Sequence, residues 1–529
     1  MTRTLLLGLD SMTFTILDSL VQEGRMPFLA RILSEGARAE LLSTPNPLTP
    51  PAWTTLVTGC GPGAHGIYDF IRTEERENGP FFVMINSNDV RCETLWSMAA
   101  RQGRRVICLN FPAMFPVKPI DGFVVPGYIT ARQFKTSVYP RDLYHRLLAL
   151  PGFNVQELAW NKEDNRKALN ALPPEDYERW IASFSAKDQQ LFLVAKMLFQ
   201  EERWDLAGIL FEGMDRLQHL CWRFLDPERV DSLSSPWERR TRDLSIAYFE
   251  RLDTQLAELA RLAGPETRIF LASDHGAGST TEIFSANAWL AERGYLVWKV
   301  DPSFDDESQL SPMELRDYFL TIDWSRTKAY ARSASANGIY IRKARPGWGG
   351  VSPEEVPAFR AKLVDELLNW RDPRNNETVV KRVMVRDEAF PGPHMEHAPD
   401  LTLSLRDGGF LSILPSKEIV KPRPQVSGMH RPEGIFIAAG PGIRRGARLQ
   451  PRGIADMAPT LLYSLGLPVP CEMEGKLIED AFEASLLETA PPRIEGSGIL
   501  GEPAEPGETM TAEDEATVLE RLRQLGYID

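Results

Sequence analysis

The sequence predicts an α/β fold, in which a large and mostly parallel β-sheet carries helices on both faces. Short apolar runs recur along the chain, and amphipathic helical segments fall between them. Continuous apolar runs are typical of parallel strands that are buried on both faces, and their alternation with helices indicates a layered α/β architecture. The strand candidates are residues 4–10, 38–43, 105–110, 206–211, 268–273, 338–341 and 434–438.

The helical segments are predicted from apolar spacing and from glycines that end them. Residues 12–23 form a helix that Gly24 ends, and residues 26–35 form another that Gly36 ends. The clearest pattern covers residues 242–262, where the apolar positions lie on one helical face: Ile246, Phe249, Leu252, Leu256 and Leu259.

Two stretches interrupt this alternation and are predicted to be insertions. The first contains proline-rich turns and a long helix over 180–200, and the second contains a helix over 353–370. Ser352 is the predicted N-cap of that second helix, with Glu355 closing a capping box. The predicted division is a first core part (1–110), an inserted cap segment (111–199), a second core part (200–345), an inserted helical segment (346–394), a third core part (395–484) and a flexible tail (485–529) with a short helix at 511–525.

Composition excludes some classes of function. The chain has 529 residues, 43% of them hydrophobic, and a net charge of −13, so we expect no broad surface for nucleic-acid backbone. Its five cysteines are scattered without a CxxC pair, which is typical of a reducing compartment. No run of 18 or more apolar residues occurs, so we expect no membrane span and a cytoplasmic location.

Acidic and imidazole side chains gather where predicted strands end. Asp10 ends the first strand, Asp215 and His219 follow the strand at 206–211, Asp274 and His275 follow 268–273, and His430 precedes 434–438. Ligands bind beyond the carboxyl ends of strands in open α/β sheets, so these side chains are predicted to meet at one edge. Carboxylate and imidazole together suit borderline and hard divalent metals.

Each of these residues also has a purely structural interpretation. Asp10 can cap a helix or a turn, and Asp215 with His219 can be a solvated pair on one helical face. Asp274-His275-Gly276 is more specific, because adjacent side chains reach one metal only where the strand frays. Only the set as a whole favours a metal site.

Thr49 is the candidate nucleophile. It precedes Pro50 and Pro51, and the residue before a proline is disfavoured in a helix, so Thr49 is predicted to be a helix N-cap. In the structural interpretation it does nothing more. In the functional interpretation the helix N-terminus also offers free N–H groups to a phosphoryl oxygen.

These motifs together resemble the alkaline phosphatase superfamily, and in particular its type I phosphodiesterase and nucleotide pyrophosphatase branch. The matching stretches follow the family's order: Gly8-Leu9-Asp10, residues 49–59 with 62–67, residues 214–219, Ser273-Asp274-His275-Gly276, residues 398–401 and Gly428-Met429-His430. The resemblance covers residues 4 to about 480. It implies an alkaline phosphatase-like fold.

The resemblance also implies roles for the site residues. One metal ion would be held by Asp10, Thr49, Asp274 and His275, and the other by Asp215, His219 and His430. Thr49 would attack phosphorus and form a phospho-threonine that water hydrolyses. The family usually uses two zinc ions, and some members use manganese. His65 lies in a matching motif without being a ligand.

This chain departs from the family beside the nucleophile. Nucleotide pyrophosphatases carry an asparagine there that donates to the phosphoryl oxygen, whereas this chain has Pro50-Pro51-Ala52-Trp53. The donor would be a backbone N–H, another side chain or water. No lysine or arginine lies between Arg38 and Arg72, which favours diesters over the more highly charged monoesters. The orientations of Arg216 and Arg431, which adjoin ligands, are left open.

The predicted function is therefore a two-metal phosphodiesterase acting on a small-molecule phosphate ester. Phosphomonoesterase, phosphomutase and sulfatase activities of the same superfamily are alternatives, although a sulfatase needs Cys or Ser where Thr49 stands. A further alternative is a non-catalytic metal-binding scaffold. Loss of ligands would mark such a scaffold, and every ligand position is filled.

Overall fold

The structure is a computed structural model that describes residues 2–76, 79–159, 172–299, 318–345 and 349–496. Its strands are numbered in chain order: β1 Arg3–Leu9, β2 Ala37–Leu42, β3 Ile71–Arg76, β4 Gly79–Met84, β5 Val106–Leu109, β6 Gly122–Val125, β7 Leu206–Phe211, β8 Thr267–Ala272, β9 Gly276–Phe284, β10 Ala329–Ala331, β11 Gly338–Ile341, β12 Val380–Val385, β13 Leu401–Leu405, β14 Val420–Arg431, β15 Glu433–Ala439, β16 Ala447–Arg448, β17 Arg452–Gly453, β18 Val469–Pro470 and β19 Ile494–Glu495.

The α-helices follow the same numbering: α1 Phe14–Gln22, α2 Pro27–Glu35, α3 Thr49–Thr58, α4 Pro62–His65, α5 Leu95–Arg101, α6 Ala131–Ser137, α7 Leu143–Ala149, α8 Val155–Leu158, α9 Pro174–Glu201, α10 Gly213–Leu225, α11 Pro236–Ala263, α12 Ala286–Glu292, α13 Val356–Asn369, α14 Arg386–Ala389, α15 Met457–Ser464 and α16 Ala484–Thr489. Among the described residues, no helix combines the length and the apolar character needed to cross a bilayer.

A nine-stranded sheet forms the centre of the molecule, in the order β16-β2-β15-β8-β1-β7-β5-β6, with β17 also paired to β2. β15 runs antiparallel to β2 and β8, and the pairs β8–β1, β1–β7, β7–β5 and β5–β6 are parallel. β1 shows why both faces are covered. Leu5, Leu7 and Leu9 enter one hydrophobic core and Leu6 enters the other, as the period of two in a strand requires. The predicted α/β class is confirmed.

A second, four-stranded sheet has the order β10-β11-β13-β12, with every pairing antiparallel. Its own core includes Trp289, Leu363 and Leu401. The strand predicted at 338–341 is present as β11, and it belongs to this sheet rather than to the central one. The sequence did not separate the two sheets, because a four-residue apolar run does not reveal its partner strand.

A two-stranded ribbon connects the region of the central sheet to that of the second one. β9 and β14 pair antiparallel from Gly276 opposite Arg431 to Phe284 opposite Val420. The register shifts between Pro422 and Ser427, because five steps along β14 span only two along β9. Residues 423–426 therefore form a bulge opposite Thr281, and bulges of this kind re-aim side chains.

Two predicted details are corrected. α13 begins at Val356 with Glu355 as its N-cap, so Ser352 caps no helix; its hydroxyl instead donates to the Glu355 carboxylate over 2.9 Å. The predicted flexible tail from residue 485 contains all but the first residue of α16, and it contains β19, which pairs with β18. The helix predicted at 511–525 lies outside the described residues. The predicted segment boundaries themselves stay predictions.

Candidate metal centre and nucleophile

All seven predicted site residues meet at the carboxyl edge of the central sheet. Asp10 follows β1, and Asp274 and His275 follow the neighbouring β8. Asp215 and His219 lie one turn apart on α10, which begins directly after β7. Adjacent parallel strands bring these segments together, as expected for an open α/β sheet.

His275 lies at the centre of one half of the cluster. Its Nε2 is 3.2 Å from Oδ2 of Asp274, 3.7 Å from Oδ1 of Asp10 and 3.4 Å from Oγ1 of Thr49. The backbone N–H of Ser11 donates to Oδ1 of Asp274 over 3.2 Å and helps to fix that carboxylate. Three oxygen atoms therefore lie within 3.7 Å of His275 Nε2.

Asp215 lies at the centre of the other half. Its Oδ1 is 3.4 Å from Nε2 of His219 and 3.3 Å from Nε2 of His430, and the two imidazole nitrogens are 3.2 Å apart. The other nitrogen of each ring, Nδ1, lies within hydrogen-bonding distance of a backbone carbonyl: Gly428 for His219 at 2.7 Å and Pro47 for His430 at 2.8 Å. Such contacts hold Nε2 toward the cluster, as is usual for metal-binding histidines.

The strand that positions His430, β14, was not predicted from the sequence. It lies near the end of β14, where it pairs with Ala277 of β9, two residues after His275. Pro422 and Pro424 hide this strand from sequence analysis, because proline is rare within strands. The ribbon thus brings His430 beside His275, at the edge where β8 ends.

The residues present fit divalent cations. Asp10, Asp274 and His275 offer ligand atoms within 4.8 Å of one another, and so do Asp215, His275 and His430. Among the described residues, Oδ1 of Asp10 and Oδ2 of Asp274 are buried and accept no hydrogen bond. Buried carboxylate oxygens are costly unless they are paired or bind a metal.

The pKa shifts in the cluster have the same physical origin. Burial, reinforced by the charges of Asp274, Asp215 and Glu212, raises the pKa of Asp10 well above its usual value. Burial and the charge of Asp215 raise the pKa of Asp274. Burial lowers the pKa of both His275 and His430, which favours the neutral imidazole that binds metals. A cation would offset the carboxylate charges.

Thr49 does not cap α3, which corrects one prediction. The helix begins at Thr49 itself, Leu48 is its N-cap, and no side chain makes a capping hydrogen bond. The side chain of an N-cap threonine accepts a hydrogen bond from the backbone N–H two or three residues later. Here those residues are Pro51, which has no N–H, and Ala52, whose N–H donates to the carbonyl of Leu48. The fully buried Thr49 hydroxyl instead lies beside His275.

The same prolines correct a second expectation, that the start of α3 offers several N–H groups to a phosphoryl oxygen. Pro50 and Pro51 lack an N–H, and the N–H of Ala52 is bonded to the carbonyl of Leu48 over 3.0 Å. Beyond Thr49 itself, the first turn therefore supplies little to a bound anion. A donor to the phosphoryl group has to come from another segment.

Next to the cluster lies a set of four buried charged side chains that the sequence did not indicate: Lys187, Asp188, Glu212 and Arg216. Lys187 of α9 pairs with Glu212, the residue before α10, and Arg216 donates to Glu212 over 3.1 Å. Lys187, Glu212 and Arg216 are each 4% exposed or less. No sequence pattern links Lys187 to Glu212, because they lie 25 residues apart on different elements.

Tyr128 was also missed. It follows β6 with a φ of +59°, which is strained for a bulky residue. Burial, followed by the charges of Glu212 and Asp10, raises the pKa of Tyr128 well above its usual value, so its hydroxyl stays protonated. Strained residues cluster at functional sites. The charges that act on Tyr128 come from Asp10 of the candidate metal site and from Glu212 beside it.

His65 has the structural role that the sequence suggested. It is fully buried, its Nε2 lies 2.9 Å from the Thr55 hydroxyl, and its Nδ1 accepts from the N–H of Ile67 over 3.1 Å. Burial lowers the pKa of His65 to about 3. It therefore connects α3 to the segment after α4 as a neutral ring.

Solved structures of similar fold belong to hydrolases. Phosphonoacetate hydrolase from Sinorhizobium meliloti 1021, in complex with phosphonoformate, aligns with a TM-score of 0.52 at 16% identity over 88% of this chain and 95% of its own. An inactive variant of murine ectonucleotide pyrophosphatase/phosphodiesterase 5, in complex with AMP, aligns with a TM-score of 0.53 at 14% identity over 91% and 100%.

A mutant of the alkaline phosphatase PafA aligns with a TM-score of 0.53 at 15% identity over 91% of this chain and 99% of its own. At such identities these likenesses show the fold alone, and no curated protein matches the sequence. The family model for type I phosphodiesterase / nucleotide pyrophosphatase matches residues 4–431. The protein therefore belongs to the type I phosphodiesterase / nucleotide pyrophosphatase family of phosphoester hydrolases.

Proposed function

We propose that the protein hydrolyses phosphodiesters through a covalent phospho-threonine on Thr49. The observation that carries the proposal is the position of the Thr49 hydroxyl, 3.4 Å from His275 Nε2 and within the carboxylate–imidazole cluster. A hydroxyl without a capping role, fully buried beside candidate metal ligands, has the environment of an activated nucleophile.

The proposed ligand sets follow the two halves of the cluster. Asp10, Thr49, Asp274 and His275 hold one divalent cation, and Asp215, His219 and His430 hold the other. We propose zinc, with manganese as the alternative, because the donors are carboxylate, hydroxyl and imidazole without thiolate. Bound cations would neutralise the carboxylates and polarise the phosphoryl group.

The residues of the chain then supply position and the nucleophile. The Oγ1–P bond of Thr49 forms as the ester P–O bond breaks, and the departing alkoxide ends as the alcohol with the proton that Thr49 gives up. Water next cleaves the phospho-threonine, which releases a phosphate monoester and restores the hydroxyl. The Asp274 contact with the backbone of Ser11 keeps the end of β8 beside β1 during both steps.

The interactions of the lysine and arginine side chains near the cluster favour a diester substrate. A monoester carries about two negative charges and usually requires an arginine or lysine at the phosphoryl group. Lys187 and Arg216 are both paired with Glu212. Arg431 donates to the carbonyl oxygens of His430, Ser279 and Asp407. Glu212 offsets part of the charge of Lys187 and Arg216, and the carbonyl oxygens occupy N–H donors of Arg431, so these side chains offer less to a second phosphate charge.

A panel of p-nitrophenyl monoesters and diesters, assayed with zinc and with manganese, tests the proposal. We expect the diesters to be turned over faster and Thr49→Ala to lose at least a thousandfold in kcat while Thr49→Ser keeps part of it, as a rough expectation for loss of a nucleophile. Acid quench followed by mass spectrometry should find on Thr49 the phosphoryl group together with the ester group that the diester retains. Unchanged turnover in Thr49→Ala would rule out the covalent route.

The same assays separate the alternatives. Preferred monoester hydrolysis would indicate a phosphomonoesterase, and transfer of phosphate without release would indicate a mutase. A protein that binds two ions per chain after dialysis yet cleaves none of the esters would be the non-catalytic scaffold. Sulfate ester hydrolysis is not expected, since Thr49 cannot be converted to formylglycine.

A further inference from the structure

A cationic pocket lies on the surface formed by α10, the segment after it, and the β9–β14 ribbon. Its volume is about 420 Å³, and its lining consists of Arg223, Arg229, Ser232, Thr281, Arg423, Pro424, Gln425 and Val426. Three of these residues are arginines and none is acidic, in a chain whose net charge is −13. We propose that this pocket binds a phosphate group.

The β14 bulge builds one wall of the pocket. Residues 423–426 fall within the register shift of β14, and all four line the pocket opposite Thr281 of β9. Arg423 is held at this position by a hydrogen bond from its Nε to the carbonyl oxygen of Glu282 over 3.1 Å. The bulge therefore places a guanidinium group where a regular strand would continue the ladder.

The other two arginines come from the helical side, and carboxylates outside the lining hold them. Arg223, near the end of α10, pairs with Glu238 of α11. Arg229 pairs with Asp226 over 3.3 Å and donates to the Ser279 hydroxyl over 3.3 Å. Each guanidinium carries five N–H donors, so one or two such contacts leave donors for a ligand. Three such forks match the oxygens of a phosphate group.

The pocket lies close to the metal cluster along the same elements. Arg223 is one helical turn beyond His219, about 6 Å along the axis of α10, on nearly the same face. β9, which supplies Thr281, begins directly after His275, and β14, which supplies Arg423, carries His430 near its other end. If the proposed function holds, the pocket indicates a substrate class, namely a diester whose leaving or retained group bears a second phosphate.

Two sources of phosphate share this chemistry, and kinetics distinguishes them. The probes are the p-nitrophenyl ester of thymidine 5′-phosphate and the same ester with an added 3′-phosphate. Arg423→Ala should raise KM about tenfold for the second ester and leave the first unchanged, as expected for loss of one charge-assisted contact. Lys421→Ala, which removes a charge from the same strand outside the pocket, is the matched control.

If the pocket instead takes free phosphate, millimolar inorganic phosphate should change KM or kcat for the plain ester in the wild-type holoenzyme more than in Arg423→Ala. Arg229→Gln, at a partly exposed position, repeats each test in case the first variant unfolds. Equal behaviour of the wild-type and variant proteins with both esters and with phosphate would overturn the inference.

The two proposals fail in different ways. If the wild-type protein cleaves neither ester, the proposed function fails, and calorimetric titration with inorganic phosphate and pyrophosphate still tests the pocket. Weaker binding in Arg423→Ala than in Lys421→Ala would support the pocket. Equal binding would overturn it.

Discussion

The imidazole rings of His275 and His430 stack, with ring centroids 3.6 Å apart and an angle of 25° between their planes. The two residues belong to different strand ends, and the β9–β14 ribbon is what brings them together. Because burial lowers the pKa of both rings, they can lie this close without the repulsion of two imidazolium charges. This contact links the two proposed ligand sets.

Removal of metal is expected to destabilise the protein. Burial and neighbouring carboxylates raise the pKa of Asp10 and of Asp274, so the cluster without cations carries unfavourable charge. Chelation should lower the melting temperature of the wild-type protein, and added zinc should restore it in a concentration-dependent manner. In Asp10→Asn the chelated protein should melt higher than the chelated wild type, and the gain from zinc should shrink. An identical response of both proteins to zinc would contradict the assignment.

Loss of the second ligand set should remove one ion. We expect His219→Ala to reduce bound metal from about two ions per chain to about one, because Asp215 and His430 alone form an incomplete site. Inductively coupled plasma mass spectrometry after dialysis measures this count. His145→Ala, which removes an exposed histidine from α7, is the control and should keep the wild-type count.

Lys187→Met should lower the free energy of unfolding by about 3 kcal/mol, because it removes one of two cations paired with the buried Glu212. Lys196→Met is the matched control on the same helix. Its ion pair with Glu258 spans 3.6 Å and is open to solvent, so its loss should change stability far less than the loss of Lys187. Denaturant titration of both variants gives the comparison, and equal losses would argue against a special role for Lys187.

The raised pKa of Asp188 predicts that the free energy of unfolding depends on pH. Burial raises the pKa of Asp188 to about 7, against an unfolded value of 3.8. Between these values the unfolded chain loses its proton first, so rising pH lowers the free energy of unfolding, and the full cost is present above about pH 7. Asp188→Asn keeps an acceptor for the Tyr248 hydroxyl and removes the charge. It should gain roughly 2–4 kcal/mol relative to wild type at pH 8 and little at pH 4.

Gly428→Ala should disturb the metal centre through packing. A Cβ at this position would lie 2.4 Å from the carbonyl oxygen of Gln218 and 3.1 Å from Cβ of Trp222, so β14 would have to move away from α10. That movement would separate His430 from His219, whose Nδ1 contacts the Gly428 carbonyl. We expect weaker binding of one ion, measured by competition with a chelating dye. Gly453→Ala, where φ is −77° and the nearest atom to an added Cβ lies 3.9 Å away, controls for stability.

Sequence patterns were most informative where burial decides local structure. The strand at 206–211 was predicted with its observed bounds, because every residue of β7 is buried and the apolar run is continuous. The acids and histidines at strand ends were identified because parallel strands share a carboxyl edge. The roles of the seven site residues stay predictions.

Features that depend on contacts distant in sequence were not predictable. The prolines of β14 concealed the ribbon that carries His430, and nothing in the sequence connected Lys187 with Glu212. The predicted start of α3 was one residue too late, and the number of N–H groups that its first turn offers to an anion was overestimated. Helix-end rules treat capping as local, whereas here the neighbouring prolines remove the partners and the Thr49 hydroxyl contacts His275.

The bulge in β14 separates two parts of one ribbon. From Ser427 to Arg431 the pairing with β9 is unbroken, and this part carries His430; the arginine pocket begins only where the register is lost. Insertions, deletions or new side chains at 423–426 can therefore be absorbed locally, without displacing His430. Under the proposed function, the part of the ribbon that would recognise a substrate phosphate is structurally separate from the part that would hold a metal ion.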